Sequence, residues 1–272
     1  MNHGIPKRII QTGKSHHLTL LEQAVVSQIR HLHPDFEYLY FDDDQLRLFV
    51  REEYPQYVST FESFAKTIQR IDFFRYLAVH RLGGFYFDLD VLMARSVHDL
   101  LPRQCVFSFE ELTIQPFLRE RFDMDWEIGN YAFGAVPGHP FLEALIQNCV
   151  KAQAQPGWVA PMLQRIPTWA RSNFEVLDTT GPGLVSRTWA EDPEAAQSVH
   201  VLFPEDVCDP QTWHQFGSYG VHLQAGGWRP QRSYWRSRLA RWWEQRARQQ
   251  ALRWGRRLGK RRSVSAGVRS AA

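Results

Sequence analysis

The chain is 272 residues long, 44% hydrophobic and 22% charged, enough to bury one sizeable core and too short for several large domains. Cys105, Cys149 and Cys208 stand far apart with no Cys-x-x-Cys, which argues against a disulfide framework or a zinc site and fits a reducing compartment. The net charge of +3 hides a split: Arg229 to Arg262 hold 13 Lys/Arg against one acid, Glu244, and with Arg269 also set aside residues 1–228 carry −10.

Arg8 to Gln11 is a predicted strand, Leu18 to Leu32 a helix, Glu37 to Phe41 a second strand and Asp44 to Tyr54 a second helix. The run Asp42-Asp43-Asp44 closes the second strand, and Asp44 is read as the N-cap of the following helix rather than as a ligand. From Thr67 to Leu82, apolar residues at Ile68, Ile71, Phe74, Leu77, Ala78 and Leu82 keep the spacing of an amphipathic helix, so Asp72 and Arg75 are neighbours on its surface. Gly83-Gly84 ends that helix. Phe85 to Asp90 follows as an aromatic strand, with Tyr86, Asp88 and Asp90 on one face. Beyond it, Val106 to Trp126 is irregular, and Gln155 to Trp169 is broken by Pro156, Gly157, Pro161 and Pro167. Both are expected to be loops on the acceptor side, with Glu110, Glu111, Trp158 and Trp169 suited to sugar binding.

Two carboxylates two residues apart on a strand lie roughly 6 to 7 Å apart, within reach of one hard cation. Mg²⁺ and Mn²⁺ favour such sites, keeping a few carboxylates and taking phosphate oxygens for the remainder. The metal would stabilise a departing UDP or GDP. Asp72-x-x-Arg75, Gly83-Gly84, the aromatic strand and Asp88-Leu89-Asp90 together are far more restrictive than a lone Asp-x-Asp.

These residues resemble the family 32 glycosyltransferases. The opening Ile5-Pro6-Lys7-Arg8-Ile9-Ile10-Gln11-Thr12, the middle segment Ile128 to Phe141 around Gly129-Asn130-Tyr131, the turn Thr179-Thr180-Gly181-Pro182 and the closing His222-Leu223-Gln224-Ala225-Gly226-Gly227-Trp228 are similar to that family's motifs. The resemblance covers residues 5 to 228. It implies an α/β protein of GT-A type, with a mostly parallel central sheet between flanking helices, and sugar transfer with retention of configuration. It further implies that Asp72, Arg75 and Asn130 act on the transferred sugar, and that Gln11, Thr12, Asp72, Arg75, Gly84, Tyr86 and Asp88 bind the donor. Asp88, Asp90 and His222 would hold the Mn²⁺ or Mg²⁺. Ile10, Gly13 and Gly227 depart from the family's common His, Trp and Ser, which removes a stacking ring and a hydroxyl ligand.

Residues 229–262 follow the transferase domain of residues 1–228 as a basic helix. Its Trp235, Leu239, Trp242, Trp243, Ala247, Ala251, Trp254 and Leu258 gather on half the wheel, with Arg238, Arg241, Arg248 and Arg256 opposite. That pattern predicts peripheral association with an anionic membrane surface, with packing on the transferase body as the alternative. Residues 263–272 are small and polar, and disorder is expected there.

No charged segment followed by an apolar one opens the sequence and no stretch reaches ~18 apolar residues, so the expected place is the cytoplasm, on the inner face of a bacterial membrane. The expected partners are a nucleotide diphosphate sugar and a glycan or lipid-linked acceptor in surface polysaccharide synthesis, without nucleic acid. Two alternatives remain: a haloacid-dehalogenase-like phosphatase using Asp88 and Asp90, and a non-catalytic membrane-associated binding protein.

Overall fold

The computed structural model describes residues 4–164, 166–225, 245, 246 and 248–253. Strand β1 (Arg8–Thr12), helix α1 (Leu20–Leu32), strand β2 (Glu37–Phe41) and helix α2 (Asp43–Glu53) open the fold in the predicted order. Thr19 caps α1 through a box with Glu22. The cap of α2 is Asp42, whose carboxylate accepts from the Asp44 and Gln45 backbone N–H groups, so the predicted Asp44 cap moves two residues upstream. A capping box explains the shift, since Gln45 reaches back to the Asp42 backbone.

After α3 (Val58–Ser63) comes α4 (Thr67–Leu82). Its Phe73, Phe74, Tyr76, Leu77, Ala78 and Val79 are all 0% exposed, so the helix is enclosed rather than half-solvated. Strand β3 (Gly84–Phe87) then runs through the middle of the molecule. Tyr86 joins the cluster on the α4 side of the sheet, while Phe85 and Phe87 join a second cluster with Ile9, Val91 and Phe216 on the opposite side, as a period of two requires. The strand stops at Phe87, and Asp88 to Asp90 form a turn closed by the Val91 N–H donating to the Asp88 carbonyl at 3.1 Å. The carboxylates therefore project from a turn rather than from one strand face.

Short β4 (Val91–Met93) leads to β5 (Cys105–Leu112), α5 (Pro116–Phe122) and β6 (Trp126–Ala135). The segment predicted as an irregular loop thus supplies a strand and a helix. It lacks alternation because β5 is covered on both faces from Cys105 to Phe109. Helices α6 (Pro140–Ala154), α7 (Pro156–Leu163), α8 (Arg171–Thr179), α9 (Pro182–Glu191) and α10 (Pro193–Ala196) follow. Helix α7 takes up the first half of the second predicted loop, and the described residues from 164 to 169 stay irregular. Pro156 occupies the first turn of α7, where no N–H is needed. Strands β7 (Val199–Leu202), β8 (Gln215–Phe216) and β9 (Gly220–His222) complete the order.

Six strands form one sheet in the order β2-β1-β3-β6-β5-β7, and β4-β9-β8 form a second. In the main sheet the β1/β2, β1/β3 and β5/β7 pairs are parallel, while β6 runs against both neighbours. This is the expected α/β architecture with a mostly parallel sheet. No helix among the described residues is long and apolar enough to cross a membrane.

Most of the basic C-terminal segment, and all of residues 263–272, lie outside the described residues. Within the helical residues 248–253, Ala251 is 4% exposed and belongs to the main core cluster, with Leu252 packed against it. Arg248 lies over the Trp213 ring at 5.8 Å and pairs with Glu111 at 3.3 Å. That part packs on the body.

Candidate active site

A cleft of about 560 Å³ opens at the carboxyl ends of β1 and β3, where ligands bind in open α/β sheets. Thr12, Asp72, Arg75, Asp88, Asp90, Asn130 and His222 all line it.

The α4 helix delivers Asp72 and Arg75 to the cleft floor, 3.1 Å apart and almost fully buried. Burial pushes the Asp72 carboxyl up to about 6, against the pull of Arg75 and of the Thr180 hydroxyl. Asn130 Nδ2 and Thr180 Oγ1 each donate to this carboxylate, at 3.1 and 2.9 Å. Arg75 donates to the Asn130 carbonyl at 2.8 Å and reaches both oxygens of Asp88 at 3.2 and 3.3 Å. Its guanidinium also lies over the Tyr86 ring at 4.6 Å. Burial opposes the charge on Arg75, but Asp88, Tyr86 and Asp72 outweigh it and hold the group protonated.

Tyr86 donates to Asp88 Oδ1 at 2.8 Å, and Thr12 Oγ1 lies 2.9 Å from the same phenol. The Asp88 backbone N–H donates to the Tyr131 carbonyl, fixing the start of the turn to β6. His222 arrives from far along the chain because β4 pairs with β9, with Val91 opposite His222. Its Nε2 is 3.2 Å from Asp90 Oδ1, its ring stacks on Tyr131 at 4.5 Å, and its Nδ1 is buried without a partner. Burial works against both charges, yet the His222 hydrogen bond keeps Asp90 below its usual range and the carboxylates raise His222.

Asp88, Asp90 and His222 each offer a ligand atom, and these atoms lie within 4.8 Å of one another. Two carboxylates and an imidazole suit a divalent cation, and the ring nitrogen that faces Asp90 is His222 Nε2.

Three residues of the expected donor set stand outside the cleft lining. Gln11 is 0% exposed: it accepts from the Tyr38 hydroxyl at 2.9 Å and aims its amide at the Phe87 and Asp88 carbonyls, bracing the turn from behind. Tyr86 acts through Asp88. Gly84 sits at the opposite end of β3, where an added Cβ would meet the Arg8 carbonyl at 2.7 Å, so its lack of a side chain permits the close approach of β1 and β3. Tyr76, which accepts from Asn130 and donates to the Thr180 carbonyl, and Thr180 itself carry no site role in the sequence expectation. The Thr179 to Pro182 turn is the signal for Thr180, while Tyr76 is brought in by packing alone. Of the expected acceptor residues, Glu110 lines the cleft, whereas Trp158 is engaged under Arg187 at 3.5 Å.

A family profile described as "Glycosyltransferase sugar-binding region containing DXD motif" matches residues 21–107. The chain is 27% identical over 243 residues to inositol phosphoceramide mannosyltransferase 3 of Schizosaccharomyces pombe, covering 82% of this chain and 60% of that protein. It is 29% identical over 189 residues to the mannosyl phosphorylinositol ceramide synthase CSH1 of Saccharomyces cerevisiae, covering 69% and 43%. Among solved structures, the UDP-bound glycosyltransferase domain from the YGT toxin superposes with a TM-score of 0.51 at 9% identity, over 74% of this chain and 80% of that one. The superposition shows a fold of GT-A type. By sequence the chain is a family 32-like glycosyltransferase, matched through its Asp-x-Asp region. The chain spans about half the length of the curated relatives it matches.

Proposed function

We propose that the chain moves one sugar from a nucleotide diphosphate sugar, UDP- or GDP-linked, to a hydroxyl of a glycan or glycolipid, with a divalent metal and retention of configuration. The observation that carries this reading is the convergence of Asp88, Asp90 and His222 within 4.8 Å beside the buried Asp72–Arg75–Asn130 network. A Mn²⁺ or Mg²⁺ held by Asp88, Asp90 and His222 would neutralise the departing diphosphate. Arg75, kept charged by two carboxylates, orients Asp88 and presents a fixed positive edge to the donor. Asn130 gives both amide protons to Asp72 and Tyr76, so its Oδ1 and the Asp72 carboxylate would serve sugar hydroxyls as acceptors.

The relatives' printed names support mannose as the sugar and an inositol phosphoceramide-like lipid as the acceptor; surface polysaccharide gains no support from them. Peripheral association through the arginine-rich segment stays part of the proposal and is tested by co-sedimentation with phosphatidylserine vesicles. The phosphatase alternative gains no support from the comparisons, whose matching profile is a glycosyltransferase region.

The test is a thermal-shift and hydrolysis screen of UDP- and GDP-sugars with Mn²⁺, with Mg²⁺ and with chelator. Metal-dependent stabilisation and slow release of one diphosphate supports the proposal. Asp90→Ala should abolish both together, and near-normal turnover in that variant would remove the metal from the reading.

A further inference from the structure

Glu110 enters the cleft for reasons that the donor site does not supply. The ladder between β5 and β6 runs Ser108 opposite Gly129 and Phe109 opposite Ile128, then shifts before Leu112 meets Trp126. Glu110 and Glu111 lie in that irregularity, and bulges re-aim side chains beside active sites. One acid turns to each side: Glu110 lines the cleft, while Glu111 pairs with Arg248. Gly129 makes the space, because a Cβ there would lie 2.5 Å from Glu110 Oε2. His214 Nδ1 sits 3.2 Å from Glu110 Oε1, and the His214 N–H donates to the Glu110 carbonyl at 3.0 Å. His214 holds the left-handed φ of 58° to do so, an uncommon conformation for a bulky residue. Its own carbonyl accepts from the His222 N–H at 2.9 Å, which ties the Glu110 mount to the metal-binding trio.

Position then assigns the partner. Across the sheet, neighbouring strands β1, β3, β6 and β5 bring Thr12, Asp88, Asn130 with Tyr131, and Glu110 to the cleft in turn, each step about 4.8 Å. If the diphosphate lies at Asp88 and Asp90 and the sugar at Asn130, the next position away from the nucleotide is Glu110. A side chain 16% exposed is reachable by a ligand and partly shielded from water.

We infer that Glu110 is the acceptor-binding carboxylate, taking hydrogen bonds from hydroxyls of a neutral polyol ring, a sugar or an inositol, with His214 as its positioning residue. An ionised carboxylate only accepts, so it selects hydroxyl groups and repels anions, and a phosphate on the acceptor must point away from β5. This rests on the transfer reading given above.

The experiment measures initial rates of the full chain with its preferred nucleotide sugar, varying donor and acceptor separately. The acceptor probes are myo-inositol and methyl α-D-mannopyranoside. Glu110→Gln should raise the KM of the glycosylated probe about ten-fold or more, as expected for a hydrogen bond to a charged group, and change the donor KM less than two-fold. His214→Asn should move the same acceptor constant by a smaller factor. Melting temperatures of both variants show whether the fold is intact. A rise in donor KM with acceptor KM unchanged overturns the assignment, as does failure of both polyols as acceptors while the donor is hydrolysed. Absence of any metal-dependent donor turnover by the unaltered chain fails the transfer reading itself, and the two failures are thereby distinguishable.

Discussion

Arg75 faces four oxygens, one from Asp72, two from Asp88 and the Asn130 carbonyl, so it serves fold and site together. Removing it as Arg75→Ala leaves two carboxylates without their cation, and breaking a buried pair this way costs about 3–5 kcal/mol; urea unfolding should show that loss. Arg75→Lys keeps the charge but loses the planar fork, since an ammonium cannot span both aspartates. Its kcat/KM should fall about 100-fold, the scale of a small misplacement near the reacting groups, while most of the stability remains. Asp178 gives a prediction independent of catalysis. It is fully buried and takes Gln115 Nε2 on both oxygens, at 2.9 and 3.1 Å, and burial lifts it from 3.8 to about 8 despite Gln115 and Arg187. Between those values the folded state holds a proton that the unfolded chain has released. Its contribution is therefore full below about pH 4, declines by at most about 1.4 kcal/mol per pH unit as pH rises, and is lost above about pH 8. Asp178→Asn should flatten that part of the stability profile; an unchanged slope would assign it to other groups, Glu127 among them, which burial also raises.

Among the elements, β3 and the turn after it decide where the carboxylates go. Gly84 has φ +109° and no room for a Cβ beside the Arg8 carbonyl. Gly84→Ala should thus cost about 1–3 kcal/mol, seen as a lower melting temperature, with donor KM unchanged because the residue packs strands and touches no cleft wall. Helix α4 was legible because its spacing and its Gly83-Gly84 stop are local signals. The extent of β3 was not: Asp88 and Asp90 continue the alternation of Tyr86, but the backbone leaves the sheet at Phe87. Strand β5 and helix α7 were hidden for a different reason. One is covered on both faces, and the other carries prolines that read as breaks. His222 could be placed beside Asp90 only through family likeness, since the β4–β9 pairing joins residues distant in sequence. Thr180 and Tyr76 likewise meet Asp72 and Asn130 through tertiary packing.

Over the whole molecule, an acidic body meets a basic C-terminal segment, and two outcomes compete for the arginines. A membrane surface would leave them facing lipid, whereas docking turns part of the segment inward. The described residues favour docking for one turn: Ala251 and Leu252 join the main core cluster, and Arg248 is held between Glu111 and the Trp213 ring. The ion pair itself contributes little, because the Arg248 side chain is 44% exposed and such pairs give about 0–1 kcal/mol. The apolar contact matters more, so the two terms separate by substitution. Arg248→Ala should lower stability by less than about 1 kcal/mol. Ala251→Asp places a charge against the core without a partner and should lower it by about 3–5 kcal/mol, a fall of several degrees in melting temperature. If Ala251→Asp melts with the unaltered protein and gains affinity for phosphatidylserine vesicles, the turn is a removable cover rather than part of the body. If it melts lower and vesicle binding is unchanged, the turn belongs to the catalytic domain and membrane attachment must come from other arginines of the segment.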